Sequence, residues 1–110
     1  MTIHSTAARQ LMGDVAPKLA ELTDVVLFDD IWQRPGLSPR ERSIATVAAL
    51  VALSRVEQLP FHLARARDNG VTHDELAELV THLAFYAGWP AAASAVERLR
   101  QLEPRREPCR

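Results

Sequence analysis

The sequence predicts an all-α fold of about five to six helices in a single domain spanning residues 1–110. Three observations carry this reading. Apolar residues recur at helical spacing, strong helix start and stop signals punctuate them, and no stretch alternates apolar and polar residues as a half-buried strand would. Alanine supplies much of the 47% apolar content and aromatics only 5%, a balance that favours closely approaching helices over a thick β-core.

From Met1 to Trp32 the apolar residues Leu11, Met12, Val15, Leu19, Leu22, Val25, Val26, Phe28 and Ile31 fall at roughly helical intervals, interrupted by Gly13 and Pro17. One or two modest helices are expected there. Arg34-Pro35-Gly36 signals a turn, and Ser38-Pro39-Arg40-Glu41 reads as a capping box with proline at the first helical position. Between Ile44 and Leu53 only Thr46 is polar, so this helix should be surrounded by others. The next helix starts near Pro60 and ends at Asn69-Gly70. Thr72-His73-Asp74-Glu75 is a second capping box, after which Leu76, Leu79, Val80, Leu83, Ala84 and Ala87 share one face. Gly88-Trp89-Pro90 reads as a stop, with a small-residue helix resuming from Ala91 to Leu102. The polar tail, residues 103–110, reads as disordered.

A net charge of −1 offers none of the positive excess that phosphate-backbone binding needs, so nucleic acid is not an expected partner. Lys18 is the sole lysine, and the remaining basic residues are arginines suited to a two-point grip on carboxylates. The one cysteine, Cys109, leaves no disulfide, dithiol pair or cysteine cluster within the chain and fits a reducing cytoplasm. No targeting segment is evident, and the longest apolar run is far short of the ~20 residues that span a bilayer. A soluble, cytoplasmic protein without membrane contact is expected.

Histidine is the side chain best placed to move a proton near neutral pH. His4 and His73 read as surface residues. His62 lies at the edge of the stripe Leu59, Leu63 and Ala66, near Gln58, where a ring is half desolvated yet reachable. Spacing alone leaves it open between a packed core histidine and a catalytic one. Glu75, Leu79, His82 and Tyr86 form a second ridge, which can line a pocket or pack against another helix. No HExxH occurs, and Glu78 with His82 offers two ligands where a metal site usually needs three, so no metal is expected. A helix-turn-helix reading of 70–83 would aim Asp74, Glu75 and Glu78 at phosphates, and charge repulsion rules against it.

The segments Phe28-Asp-Asp-Ile-Trp-Gln-Arg-Pro-Gly-Leu-Ser-Pro-Arg-Glu-Arg-Ser43, Glu57-Gln-Leu-Pro-Phe-His62, Asn69-Gly-Val-Thr72 and His82-Leu-Ala-Phe-Tyr-Ala-Gly-Trp-Pro90 together resemble the carboxymuconolactone decarboxylase family. The resemblance covers about Phe28 to Leu99, with the motif-bearing core at 28–102. It implies an alkylhydroperoxidase-like helical fold, assembled as a homotrimer or homohexamer with pockets at subunit contacts. The peroxidase branch carries a Cys-x-x-C pair ahead of the matching histidine. Arg55 and Gln58 stand at those positions here, so thiol peroxidase chemistry has no nucleophile, and Cys109 in the tail cannot replace one.

The decarboxylase branch implies loss of CO2 from a small carboxylated lactone or β-keto-type acid in aromatic compound catabolism, without metal or organic cofactor. The resemblance makes His62 the expected proton donor. Its expected acidic partner is Glu57, although Gln58 is the nearer helical neighbour. Arg40 and Arg42 are expected to clamp a substrate carboxylate, with His82, Tyr86 and Trp89 lining the site. The alternatives are the same pocket running a lactone hydrolysis, isomerisation or cyclisation, and a non-catalytic oligomeric binding module.

Overall fold

The computed structural model describes residues 4–102, which are helical throughout apart from turns and short connections. The tail and Cys109 lie outside the described residues. By compactness the chain divides into two units, with the boundary between Pro39 and Arg40.

The first unit holds α1 (Ala7–Met12), α2 (Pro17–Leu22), a π-helical turn (Thr23–Phe28) that extends α2, and a 3-10 turn (Ile31–Gln33). Its organising group is the buried carboxylate of Asp24. It accepts from Ser5 Oγ at 2.7 Å and from the Ala8 and Arg9 amides at 3.0 and 2.9 Å, satisfying the open N–H groups at the start of α1. Burial pulls the Asp24 pKa upward, but these hydrogen bonds outweigh it and hold the carboxyl below its usual range.

The second unit contains α3 (Pro39–Ala52), α4 (Leu59–Asp68), α5 (His73–Ala87) and α6 (Trp89–Gln101). Its core joins Val47 and Val51 of α3, Leu59, Leu63 and Ala66 of α4, Val71, the Leu76, Val80 and Ala84 face of α5, and Ala92, Ala95 and Leu99 of α6. Leu79 and Leu83 pack at the margin of the predicted α5 face.

α3 departs from expectation. It buries one face only, while Ala45, Ala49 and Ala52 are exposed. Its apolar girth is largely alanine, whose small side chain carries little pressure toward burial.

α3 and α4 end alike. After α3, Ser54 adopts φ +58, its N–H reaches the Val51 carbonyl, and the Arg55 N–H reaches that of Leu50. After α4, Gly70 adopts φ +95, its N–H reaches Arg67, and the Val71 N–H reaches Ala66. Both are Schellman closures with a left-handed residue just past the helix. The second has the usual glycine and a buried Val71 against Ala66, whereas the first holds a serine in a conformation that L-residues disfavour.

The predicted capping box opens α5: the Glu75 N–H donates to Thr72 Oγ1 at 3.0 Å, and the Thr72 N–H donates to Glu75 Oε1 at 2.9 Å. The predicted stop at Gly88-Trp89-Pro90 is corrected to a single residue. Gly88, at φ 98 and ψ 155, donates its N–H to the Ala84 carbonyl and accepts from the Ala92 N–H, so it closes α5 and opens α6. Trp89 and Pro90 are already in the first turn of α6, where a proline's missing N–H costs no hydrogen bond.

Candidate functional site

Proline at the second position of α4 sets its first turn, and the Leu59, Leu63 and Ala66 stripe turns one face to the core. These constraints put His62 on the flank of that face. The ring is half-buried, with the edge of Phe61 against it at 5.0 Å between centroids. Its Nδ1 is out of contact with solvent and has no hydrogen-bond partner among the described residues. Burial, reinforced by the positive charge of Arg65, lowers the pKa of His62 below its ordinary value. A histidine serving only as packing would have its buried nitrogen satisfied. Among the described residues, His62 has a buried nitrogen without a partner on a ring that solvent partly reaches.

The segment leading to His62 is a turn in which Glu57 and Gln58 are both exposed. No side-chain hydrogen bond or ion pair joins either to His62 among the described residues. The link from Gln58 is through its backbone carbonyl, 3.5 Å from the His62 amide nitrogen. Arg98 of α6 steadies this turn, its Nε donating to the Val56 carbonyl at 3.2 Å.

The arginines expected as carboxylate clamps lie at the start of α3. Arg40 ion-pairs with the Glu75 carboxylate, and its Nε donates to the Gly70 carbonyl at 3.4 Å. The guanidinium is thus engaged by an internal carboxylate and braces the corner between α4 and α5. The Thr72 amide and then the Arg40 guanidinium hold the Glu75 carboxyl below its usual range. Arg42 is half-buried on the same helix. Next to this brace, Asn69 Nδ2 donates to the buried Ser43 Oγ at 3.0 Å, tying the end of α4 to α3.

The expected ridge on α5 splits. Glu75 is used by the cap and by Arg40, Leu79 packs at the core margin, and the rings of His82 and Tyr86 lie against each other at 4.9 Å on the exposed surface. Trp89 pairs edge-to-face with Phe85 at 5.1 Å. Phe85, Tyr86 and Trp89 are 72%, 79% and 63% exposed, a concentration of bare aromatic surface along α5 and the start of α6. Beside it, Val80, Thr81, Ala84, Phe85, Trp89 and Val96 line an apolar depression of about 340 Å³ that includes neither His62 nor Tyr86. No group of three or more side chains placed to hold a metal ion occurs among the described residues. No helix among them is long and apolar enough to cross a membrane.

The sequence profile of the carboxymuconolactone decarboxylase family matches residues 17–101, well over half of the chain and including every element from α2 to α6. The chain belongs to the carboxymuconolactone decarboxylase family. The match begins upstream of Phe28, where the sequence motifs first signal it. A 4-carboxymuconolactone decarboxylase of Acinetobacter baylyi is 44% identical over 99 residues, covering 90% of this chain and 74% of that protein. A nitrosuccinic acid decarboxylase of Metarhizium robertsii is 38% identical over 76 residues, covering 69% of this chain and about half, 53%, of that protein. Both relatives are named as decarboxylases, so the family supports a decarboxylase-like, carboxy-lyase activity.

Sequence reasoning did not single out Phe61, Phe85 or Arg65. The first two were legible only as members of the family motifs. Arg65 sits one helical turn beyond His62, and that interval was the available signal.

Proposed function

We propose that this chain decarboxylates a small carboxylated lactone or β-keto-type acid, with His62 as the acid/base group and without metal or organic cofactor. The observation that carries the proposal is the half-buried His62 ring with its unpaired Nδ1, in a chain whose relatives are decarboxylases. The names of the two relatives point to a carboxylated lactone in one and a nitro-substituted acid in the other, and a lactone carbonyl or a nitro group can each accept the electron pair that CO2 leaves behind. In the reaction the carbon–carbon bond to the carboxylate breaks, CO2 departs, and the electron pair moves into the acceptor. A proton from the His62 imidazolium then returns to carbon, and the imidazole is reprotonated from solvent. Glu57 or Gln58, on the turn before α4, assists or orients His62. Arg42, His82, Tyr86 and Trp89 remain the candidates for binding from the wider surface.

The working form in this reading is a homotrimer or homohexamer. The bare Phe85, Tyr86 and Trp89 surface and the exposed alanine face of α3 support it, since contact with further copies would cover both.

The test is CO2 release and loss of ultraviolet absorbance from γ-carboxymuconolactone, comparing wild type and His62→Ala at equal protein concentration. Wild-type turnover that falls by about 100-fold or more in the variant is expected. Turnover that survives the substitution would remove His62 from the chemistry, and inactivity of the wild type would exclude this substrate.

A further inference from the structure

Across α4 and its two caps the helical repeat sets Gln58, His62, Arg65 and Asn69 along one flank at intervals of four, three and four residues. Asn69 is committed to Ser43. His62 and Arg65 occupy the middle of this ridge, both half-buried and one turn apart, so their side chains are neighbours. Arg40, one of the two arginines at the start of α3, ion-pairs with Glu75 at a different helix corner.

We propose that Arg65 is the substrate-binding cation of the His62 site, gripping a carboxylate of the substrate one helical turn from the imidazole that returns the proton. This rests on the decarboxylase reading above and deepens it. A guanidinium keeps its charge at any working pH and matches a carboxylate through two parallel hydrogen bonds. Partial burial strengthens that grip by shielding it from water.

The placement also resolves a difficulty in the chemistry. Burial and then the Arg65 charge disfavour the imidazolium in the empty site, yet the reaction needs a protonated donor. A carboxylate seated on Arg65 cancels that charge and brings a negative one beside the ring, so His62 takes up its proton when substrate arrives. Asp68, one turn further along α4, acts on Arg65. Arg98, on the α6 helix packed against α4, is held at the Val56 carbonyl. On α3, Arg40 is neutralised by Glu75.

The experiment follows the His62 ring signal by NMR through a pH titration, in wild type, Arg65→Gln and Arg65→Lys, with and without saturating succinate as an unreactive dicarboxylate. KM for γ-carboxymuconolactone is measured alongside. Arg65→Gln should raise the His62 pKa in the empty protein and abolish the upward shift that succinate produces in wild type. It should also raise KM by about 10- to 100-fold, with Arg65→Lys intermediate. A succinate shift that is equal in wild type and Arg65→Gln, or absent from wild type, overturns the assignment, as does an unchanged KM. Lack of wild-type turnover counts against the decarboxylase reading instead, and the titration still decides the role of Arg65. Comparable helical circular dichroism in the three proteins separates these outcomes from misfolding.

Discussion

Replacing Gly88 by alanine should destabilise the protein through the backbone alone. At φ 98 and ψ 155 this residue occupies a region of conformational space that is essentially reserved for glycine. A Cβ added there would meet only Pro90 Cδ at 3.8 Å, an ordinary contact, so steric overlap contributes little and the cost is torsional. Residues forced into such regions typically cost about 1–3 kcal/mol. With about 2.1 cal/mol/K of unfolding entropy per residue, a domain of this size loses roughly 5 °C of Tm per kcal/mol, giving an expected fall of about 5–15 °C. Relaxing the torsion instead would break the Ala84 and Ala92 hydrogen bonds and part α5 from α6, at no lower cost. Differential scanning calorimetry at one protein concentration measures the shift, because self-association of the proposed kind would make Tm depend on concentration. Gly36→Ala is the control: a Cβ added at Gly36 meets nothing within 4 Å, and the φ of this residue is not in the left-handed range. Equal Tm values for Gly88→Ala and Gly36→Ala would refute the reasoning.

Two further outcomes are expected. The folded protein holds the His62 proton less well than the unfolded chain does. Between the depressed pKa and the ordinary value of 6.5 the unfolded state therefore binds more protons, and stability rises with pH. His62 thus imposes no penalty above pH 6.5, and stability falls as pH drops below that value, levelling once the folded pKa is passed. Tm measured against pH should show this slope in wild type and a shallower one in His62→Gln, and identical slopes would contradict it. Light scattering should return a solution mass that is a trimer or hexamer multiple of 12.2 kDa, reduced in a Phe85→Ser, Trp89→Ser double variant. A monomeric wild type would exclude self-association through this surface.

What the sequence made legible was mainly local. The Thr72 and Glu75 capping box needs only residues three apart, and it forms as read. The Leu76, Val80 and Ala84 face likewise follows from helical repeat alone. Gly88-Trp89-Pro90 was harder, since proline signals a break in a helix interior but is welcome in a first turn, and only the backbone angles of Gly88 show which case applies. Within one chain α3 buries Val47 and Val51 but not Ala45 and Ala49, a distinction lost when its apolar residues are weighed equally. For the site, the position of His62 beside an apolar stripe was readable. The internal pairing of Arg40 with Glu75 was not, because those residues lie 35 apart and meet only when α3 and α5 pack.

Polar interactions brace both ends of α4. In front of it, the Ser54 closure fixes the exit from α3 and Arg98 holds the Val56 carbonyl. Behind it, the Gly70 closure, the Asn69 to Ser43 bond and the Arg40 bridge from Gly70 to Glu75 fix the turn into α5. Leu59, Leu63 and Ala66 anchor the helix between. With both ends and one face secured, His62 is held in place while its buried Nδ1 has no partner among the described residues. Leaving such a group unsatisfied costs about 1–3 kcal/mol, a penalty that a second donor or an apolar residue at this position would remove. A helix braced at its ends holds the imidazole in a fixed place on a partly accessible flank, which is what the proposed proton return to a decarboxylated carbon would require.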